Sequence, residues 1–412
     1  MATDSCHEAL ASGDPNLDNC DQWIPVFLPI DDLFGQYSKE QDMRAKLLVI
    51  CTVLVAVVAV STVNAADWGL KKGNADLKSA GPLAFGPDGI LLVGDTKAAT
   101  VFAIDTGDAS GEPGKVSFSI KALNEKVADA VGAGSQSVKI NDIVVNPASG
   151  NVYVSAIANG KAALVRVDGA GDLSKVKLEG VGVAKVALPN APEDKVVGQG
   201  RRRGNPRDES ITDLAYSDGK VLVSGVSPNP SGGRTLSTVR ELPFPLTSAD
   251  SGVNVEIFHG AHGGLENYST VRTFVPFNID GKPSLLAGFT CTPLVRFDVK
   301  SLKSEKPVRG TTVAELGNRN RPYDMIVYEK DGESWLLMAN SARGVMKIST
   351  NDIGRSKGIT ERVGGGGLAG QTYETIEELK GVVQLDQLND SHAIILVQNE
   401  GGSQDLATVA LP

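Results

Sequence analysis

Beyond Ala80 the apolar residues come in short runs of four to six, rich in Val, Ile and Leu and separated by polar turns. Alternating or continuous runs of that length between turn residues predict strands, not helices. The turns carry Gly after a short polar residue at Asp88-Gly89, Ser149-Gly150, Asp218-Gly219, Asp280-Gly281 and Asp331-Gly332. Such pairs are hairpin signals because Gly tolerates positive φ. The pattern also repeats. "GPLAFGPDGILLVGDTKAATVFAIDTG" (81–107) has the outline of 140–169, 211–242, 270–299, 321–350 and 382–411: an apolar strand, a turn, a β-branched strand, a polar loop and a third strand. A fourth apolar piece follows most copies, at 115–120, 173–180, 253–260 and 311–317.

Six copies of a four-stranded unit describe an all-β, six-bladed β-propeller. One small sheet cannot bury both faces alone, so blades stack around an axis and share a core. A two-domain β-sandwich is the structural alternative. The last copy stops at Pro412 after three strands, which predicts that part of 66–80 closes the ring as the outer strand of the sixth blade. Helical patterning is confined to 372–381 and, behind it, 121–132.

The repeat pattern over 81–412 resembles the six-bladed secreted propellers of the NHL, YVTN and gluconolactonase-like kind. The resemblance is one of architecture. It implies the fold and carries over no catalytic residue, because fold alone does not fix function.

Residues 43–65 have the order of a secretory signal: a basic head at Met43, Arg44 and Lys46, an apolar run from Leu47, and small residues before a cut at Ala66. Retained, the same run would be long enough to act as a membrane anchor. Residues 1–42 carry nine Asp and Glu against one Lys39, so this acidic leader is foreign to a signal and reads either as untranslated sequence or as a short tail. The propeller is then 66–412, an exported domain. The net charge of the chain is −9, and the leader accounts for eight of those negative charges. Arg44 and Lys46 offset two more, which leaves 66–412 at −3 and argues against nucleic acid as a partner. Cys291 is the sole cysteine after the apolar run, so no internal disulfide staples the domain.

Candidate chemistry gathers at the rim where the innermost strands begin. Aligning the copies places Pro82, Asp142, Asp213, Arg272 or Thr273, Asp324 and Gln384 at equivalent positions. Asp142, Asp213 and Asp324, with Asn141 beside them, are oxygen ligands suited to calcium or magnesium. The competing reading is that each Asp caps its own strand. His259, His262 and Cys291 form an alternative set suited to zinc or copper. Arg201, Arg202, Arg203, Arg272, Arg319 and Arg321 are placed to grip a carboxylate or phosphate.

Two functions follow as expectations. The first is a binding platform for an unidentified protein, peptide or small anionic ligand at the central rim. The second is a divalent-metal-dependent hydrolase of the lactonase or esterase type, its ion held by the channel carboxylates. Haem or quinone chemistry has less support, since no C-x-x-C-H motif is present and Trp68 and Trp335 are the only tryptophans after the apolar run.

Overall fold

The computed structural model describes residues 68–412 except 135–137, 201–202, 292 and 305. The acidic leader and the signal-like run lie outside the described residues. Residues 66–412 form one compact unit. Among the described residues no helix is long and apolar enough to cross a membrane.

The chain enters as β1 (Lys71–Asn74) and builds a first meander from β2 (Leu83–Phe85), β3 (Ile90–Asp95) and β4 (Thr100–Asp105). It continues through β5 (Ser119–Ile120) and the helix α1 (Leu123–Val131) into the second meander. That meander is β6 (Val138–Val145), β7 (Val152–Ala158), β8 (Lys161–Val167) and β9 (Leu173–Lys175), and β10 (Glu179–Ala187) follows it. The third blade is β11 (Asp213–Ser217), β12 (Lys220–Ser227), β13 (Leu236–Pro243) and β14 (Val253–His259), with β15 (Gly264–Glu266) at its edge. The fourth is β16 (Val271–Ile279), β17 (Lys282–Phe289), β18 (Pro293–Asp298) and, after the short β19 (Val308–Arg309), β20 (Thr311–Leu316). The fifth is β21 (Pro322–Lys330), β22 (Glu333–Asn340) and β23 (Gly344–Ser349), then β24 (Leu368–Gly370), which pairs back on β20, and β25 (Tyr373–Ile376). The sixth is β26 (Val382–Gln387), β27 (His392–Gln398) and β28 (Gln404–Ala410).

The expected hairpins form for the expected reason. Asp218 and Gly219, Asp280 and Gly281, and Asp331 and Gly332 all have positive φ, the signature of a two-residue turn whose twist matches its strands. The strands between them are buried on both faces. In β3, Leu91 and Val93 pack toward the second blade with Tyr153 and Leu164, while Ile90 and Leu92 pack toward the third with Val221 and Leu242. A period of two, covered on both sides, thus gives a strand with no exposed position.

The blades are not arranged in chain order. Contacts between innermost strands run β6, β2, β11, β16, β21, β26 and back to β6. The first blade therefore sits between the second and third, and the second meets the sixth. The outer strands show how the chain achieves this. After β4 it crosses to β28 and adds β5 as the fourth strand of the sixth blade; it then builds the second blade and returns as β10 along the edge of β4.

Ring closure therefore differs from the expectation. The sixth blade is completed by β5, and β1 lies instead outside β10 as a fifth strand of the first blade. The segment 115–120, expected beside the first blade, is displaced because the nine-residue β10 offers β4 a longer ladder. Residues 372–381 are also not helical: they give β25 and a single turn at Glu377–Leu379. The free edge of β23 captures them, and only Leu379 is buried. The weaker helix candidate does form as α1. Leu123 and Val127 lie one turn apart in the core, and Gly132 at φ 69° caps the end through Ala128 O and Asp129 O.

The closure is open to a direct check. Ser119 and Ala407 face each other across β5 and β28, next to the bond from Thr408 N to Phe118 O, which makes them a non-hydrogen-bonded pair. Cα atoms in such a pair approach to about 4.5 Å, within the reach of a disulfide. The Ser119→Cys, Ala407→Cys double variant is expected to oxidise to an intramolecular disulfide, read by mass spectrometry of non-reduced peptides. Free thiols or intermolecular dimers would refute this strand order.

Candidate functional site

A cavity of about 420 Å³ opens on the axis at the rim where the innermost strands begin. Local backbone geometry sets what points into it. The pairing registers of β6, β16, β21 and β26 each shift just before the channel position, leaving Asn141, Arg272, Tyr323 and Val383 as bulged residues. A bulge re-aims its side chain and restores the pleat one residue later. This resolves the fourth repeat: Thr273 takes the ring position and Arg272 is the bulge. The predicted ring positions Pro82, Asp142, Asp213, Thr273, Asp324 and Gln384 all line the cavity, as do Asn141, Arg272 and Arg321.

The carboxylates are used as inter-blade clasps. Asp142 accepts the N–H of Ile143 at 2.9 Å on one oxygen and that of Leu83, on the first blade, at 2.7 Å on the other. Asp213 does the same with Leu214 and with Phe274 of the fourth blade, both at 2.8 Å. Asp324 holds Met325 at 2.8 Å and Leu385 of the sixth blade at 3.0 Å. Asp386 repeats the motif with Gln387 at 2.8 Å and Val145 of the second blade at 2.7 Å. Asp386 carries no repeat signal in the sequence because it lies two residues past the ring position of its strand, Gln384. With its amide nitrogen turned to the acceptors, Gln384 donates to Asp324 at 2.7 Å and to Asp142 at 3.2 Å. Asn141 donates to Ala80 O at 2.6 Å, tying the segment before β2 to the second blade.

Four carboxylates around one axis strain their ionisation. Burial first, then the charges of neighbouring aspartates, push Asp142 and Asp324 well above the usual carboxylate range. Burial raises Asp213 to about 7, its backbone hydrogen bonds opposing, and Asp386 to about 6.

Above this acidic waist the mouth is mixed in charge. Arg272, whose side chain is 12% exposed, pairs with Glu209 at 2.7 Å and also donates to Thr290 Oγ1. Arg321 makes no ion pair among the described residues; burial and then the charge of Arg272 lower its pKa. Lys97 and Lys139 complete the basic lining. The other expected arginines are elsewhere: Arg203 and Arg319 are exposed and do not line the cavity, and Arg201 and Arg202 lie outside the described residues.

The alternative metal set also converges. One nitrogen of each imidazole of His259 and His262 and the sulfur of Cys291 lie within 4.8 Å of one another. His259 ends β14, His262 lies in the loop after it, and Cys291 lies in the turn between β17 and β18, all on the rim that carries the mouth. Glu266 accepts from Nδ1 of both imidazoles. Burial works to raise Glu266, but the hydrogen bonds of His259, Ser269 and His262 outweigh it and hold it at about 2.

No protein-family model and no curated protein matches the sequence. Among solved structures the chain is similar to extracellular domains 1–2 of Drosophila Semaphorin 1b, with 9% identity, a TM-score of 0.37, and coverage of 84% of this chain and 88% of that one. It is also similar to the PQQ-bound aldose sugar dehydrogenase of Streptomyces coelicolor, with 12% identity, a TM-score of 0.27 and coverage of 82% and 96%. A third is the Plexin A4 extracellular region, with 10% identity, a TM-score of 0.38 and coverage of 83% and 40%.

The raised aspartates predict a pH dependence with a definite sign. A carboxyl whose folded pKa lies above its unfolded value contributes stability that is complete below the unfolded pKa and lost as pH rises through the folded one. For Asp213 that window runs from 3.8 to about 7. Asp213→Asn removes this loss while keeping one acceptor oxygen. Its thermal midpoint relative to wild type is therefore expected to climb as pH rises from about 5 to about 8. A gap independent of pH, measured by calorimetry, would contradict the assignment.

Proposed function

We propose that this protein is an exported binding propeller whose central mouth takes a small anionic ligand. The observation that carries this reading is Arg321. It lines a cavity of about 420 Å³, makes no ion pair among the described residues although the charge of Glu209 acts on it, and is set against a second guanidinium, Arg272, that Glu209 already holds in place. An unpaired guanidinium beside a pre-positioned one suits a carboxylate or phosphate, which accepts paired hydrogen bonds in the plane of the fork. Lys97 and Lys139 add charge of the same sign around it.

The use of both oxygens of each channel carboxylate in strand clasps favours binding over lactone or ester hydrolysis. A hydrolytic site would need those oxygens turned onto a calcium or magnesium ion at about 2.3–2.6 Å. Export rests on the signal-like run at 43–65.

The test is a thermal-shift and calorimetric screen with inorganic phosphate and small hydroxycarboxylates. Binding is expected to fall about 10- to 100-fold in Arg321→Ala, the range for a hydrogen bond to a charged group. Affinity unchanged in both Arg321→Ala and Arg272→Ala would overturn the mouth as the anion site. Stabilisation by calcium alone would favour the hydrolase instead.

A further inference from the structure

The cluster of His259, His262 and Cys291 is independent of the mouth reading. Glu266, 5% exposed, is bound by Nδ1 of His259 at 3.0 Å and by Nδ1 of His262. Both Nδ1 edges are thus turned onto the two oxygens of one carboxylate. That leaves the Nε2 edge of each ring turned away from Glu266 and open to a metal. Nε2 of His259 is completely buried and has no hydrogen-bond partner. A buried polar atom left without a partner is costly unless something binds it. The two rings lie 3.9 Å apart between centroids, and one nitrogen of each lies within 4.8 Å of the other and of the Cys291 sulfur.

Cys291 is held at that space by its backbone. Its φ is +81°, a conformation that a side chain with a Cβ rarely adopts. The surroundings enforce it: Cys291 N donates to Asn320 O at 3.1 Å, and Asn340 holds the Asn320 side chain at 3.1 Å. Strain maintained by a buried amide network is characteristic of positions that must aim a functional group.

We infer that His259, His262 and Cys291 bind one zinc ion through two imidazole nitrogens and a thiolate, with Glu266 orienting both imidazoles and the fourth position open to water or an external carboxylate. Three protein ligands with an open position is the arrangement of an exchangeable zinc site, and a carboxylate behind each ligating imidazole fixes its tautomer. The His262 side chain is 54% exposed, so the site is reached from solvent and is not shielded as electron-transfer copper would be. His262 N and Gly263 N both donate to His259 O, a tight turn that folds His262 back beside His259.

The experiment uses the full-length protein produced without a histidine tag, kept reduced, stripped of metal and titrated with cobalt(II), then with zinc(II) in competition. One equivalent of cobalt with a thiolate-to-metal charge-transfer band is expected, displaced by zinc. The band should vanish in Cys291→Ser, and affinity should drop about 10- to 100-fold in Glu266→Gln. His262→Ala alters a half-exposed side chain and so preserves the fold, verified by circular dichroism, while weakening cobalt binding by at least the same factor. Cobalt binding without the charge-transfer band, or binding unchanged in Cys291→Ser and His262→Ala, would overturn the site. Copper in place of zinc in protein grown with both metals would overturn the choice of ion.

Discussion

The ring depends on how the inner edges of its blades are satisfied. Six innermost strands converge on one axis, too splayed to pair with each other, and each presents backbone N–H groups toward the channel. Buried donors without partners are costly. Asp142, Asp213, Asp324 and Asp386 answer this by accepting an N–H of their own strand with one oxygen and an N–H of the next blade with the other. The same carboxylate therefore terminates a strand edge and fastens two blades. Its cost is electrostatic, since the four groups are buried near one another and ionise with difficulty.

Chain order around the ring shapes what surrounds the axis. The first blade lies between the second and third, so the chain crosses the ring twice near its beginning, once to give β5 to the sixth blade and once to bring β10 back to the first. Both crossings tie sequence-distant segments by ladder hydrogen bonds, as a closed ring requires. The path from β1 at the outer edge to β2 at the axis also runs over the rim. There Asp95, fully buried, accepts from Ser79 N at 3.0 Å, Ser79 Oγ at 2.7 Å and Ala98 N at 3.0 Å. Ser79 to Pro82 consequently form part of the cavity wall.

The mouth and the imidazole–thiolate cluster share a rim and a short connection. Glu209 pairs with Arg272, Arg272 donates to Thr290, and Thr290 is followed directly by Cys291.

Much of this was legible in the chain. Asp-Gly pairs and apolar runs fixed six meanders, because two-residue turns and period-two burial are local properties. The equivalence of Asp142, Asp213 and Asp324 was visible for the same reason, since repeats place like residues at like positions. What tertiary structure alone decided is which edges meet. Outer strands such as 115–120 and 179–187 carry no mark of their partner blade, and the choice depends on which exposed ladder is longest and nearest once the meanders have formed. The convergence of His259, His262 and Cys291 behind Glu266 belongs to this second class. Its members come from two blades, and only blade packing brings their ligand atoms within 4.8 Å of one another.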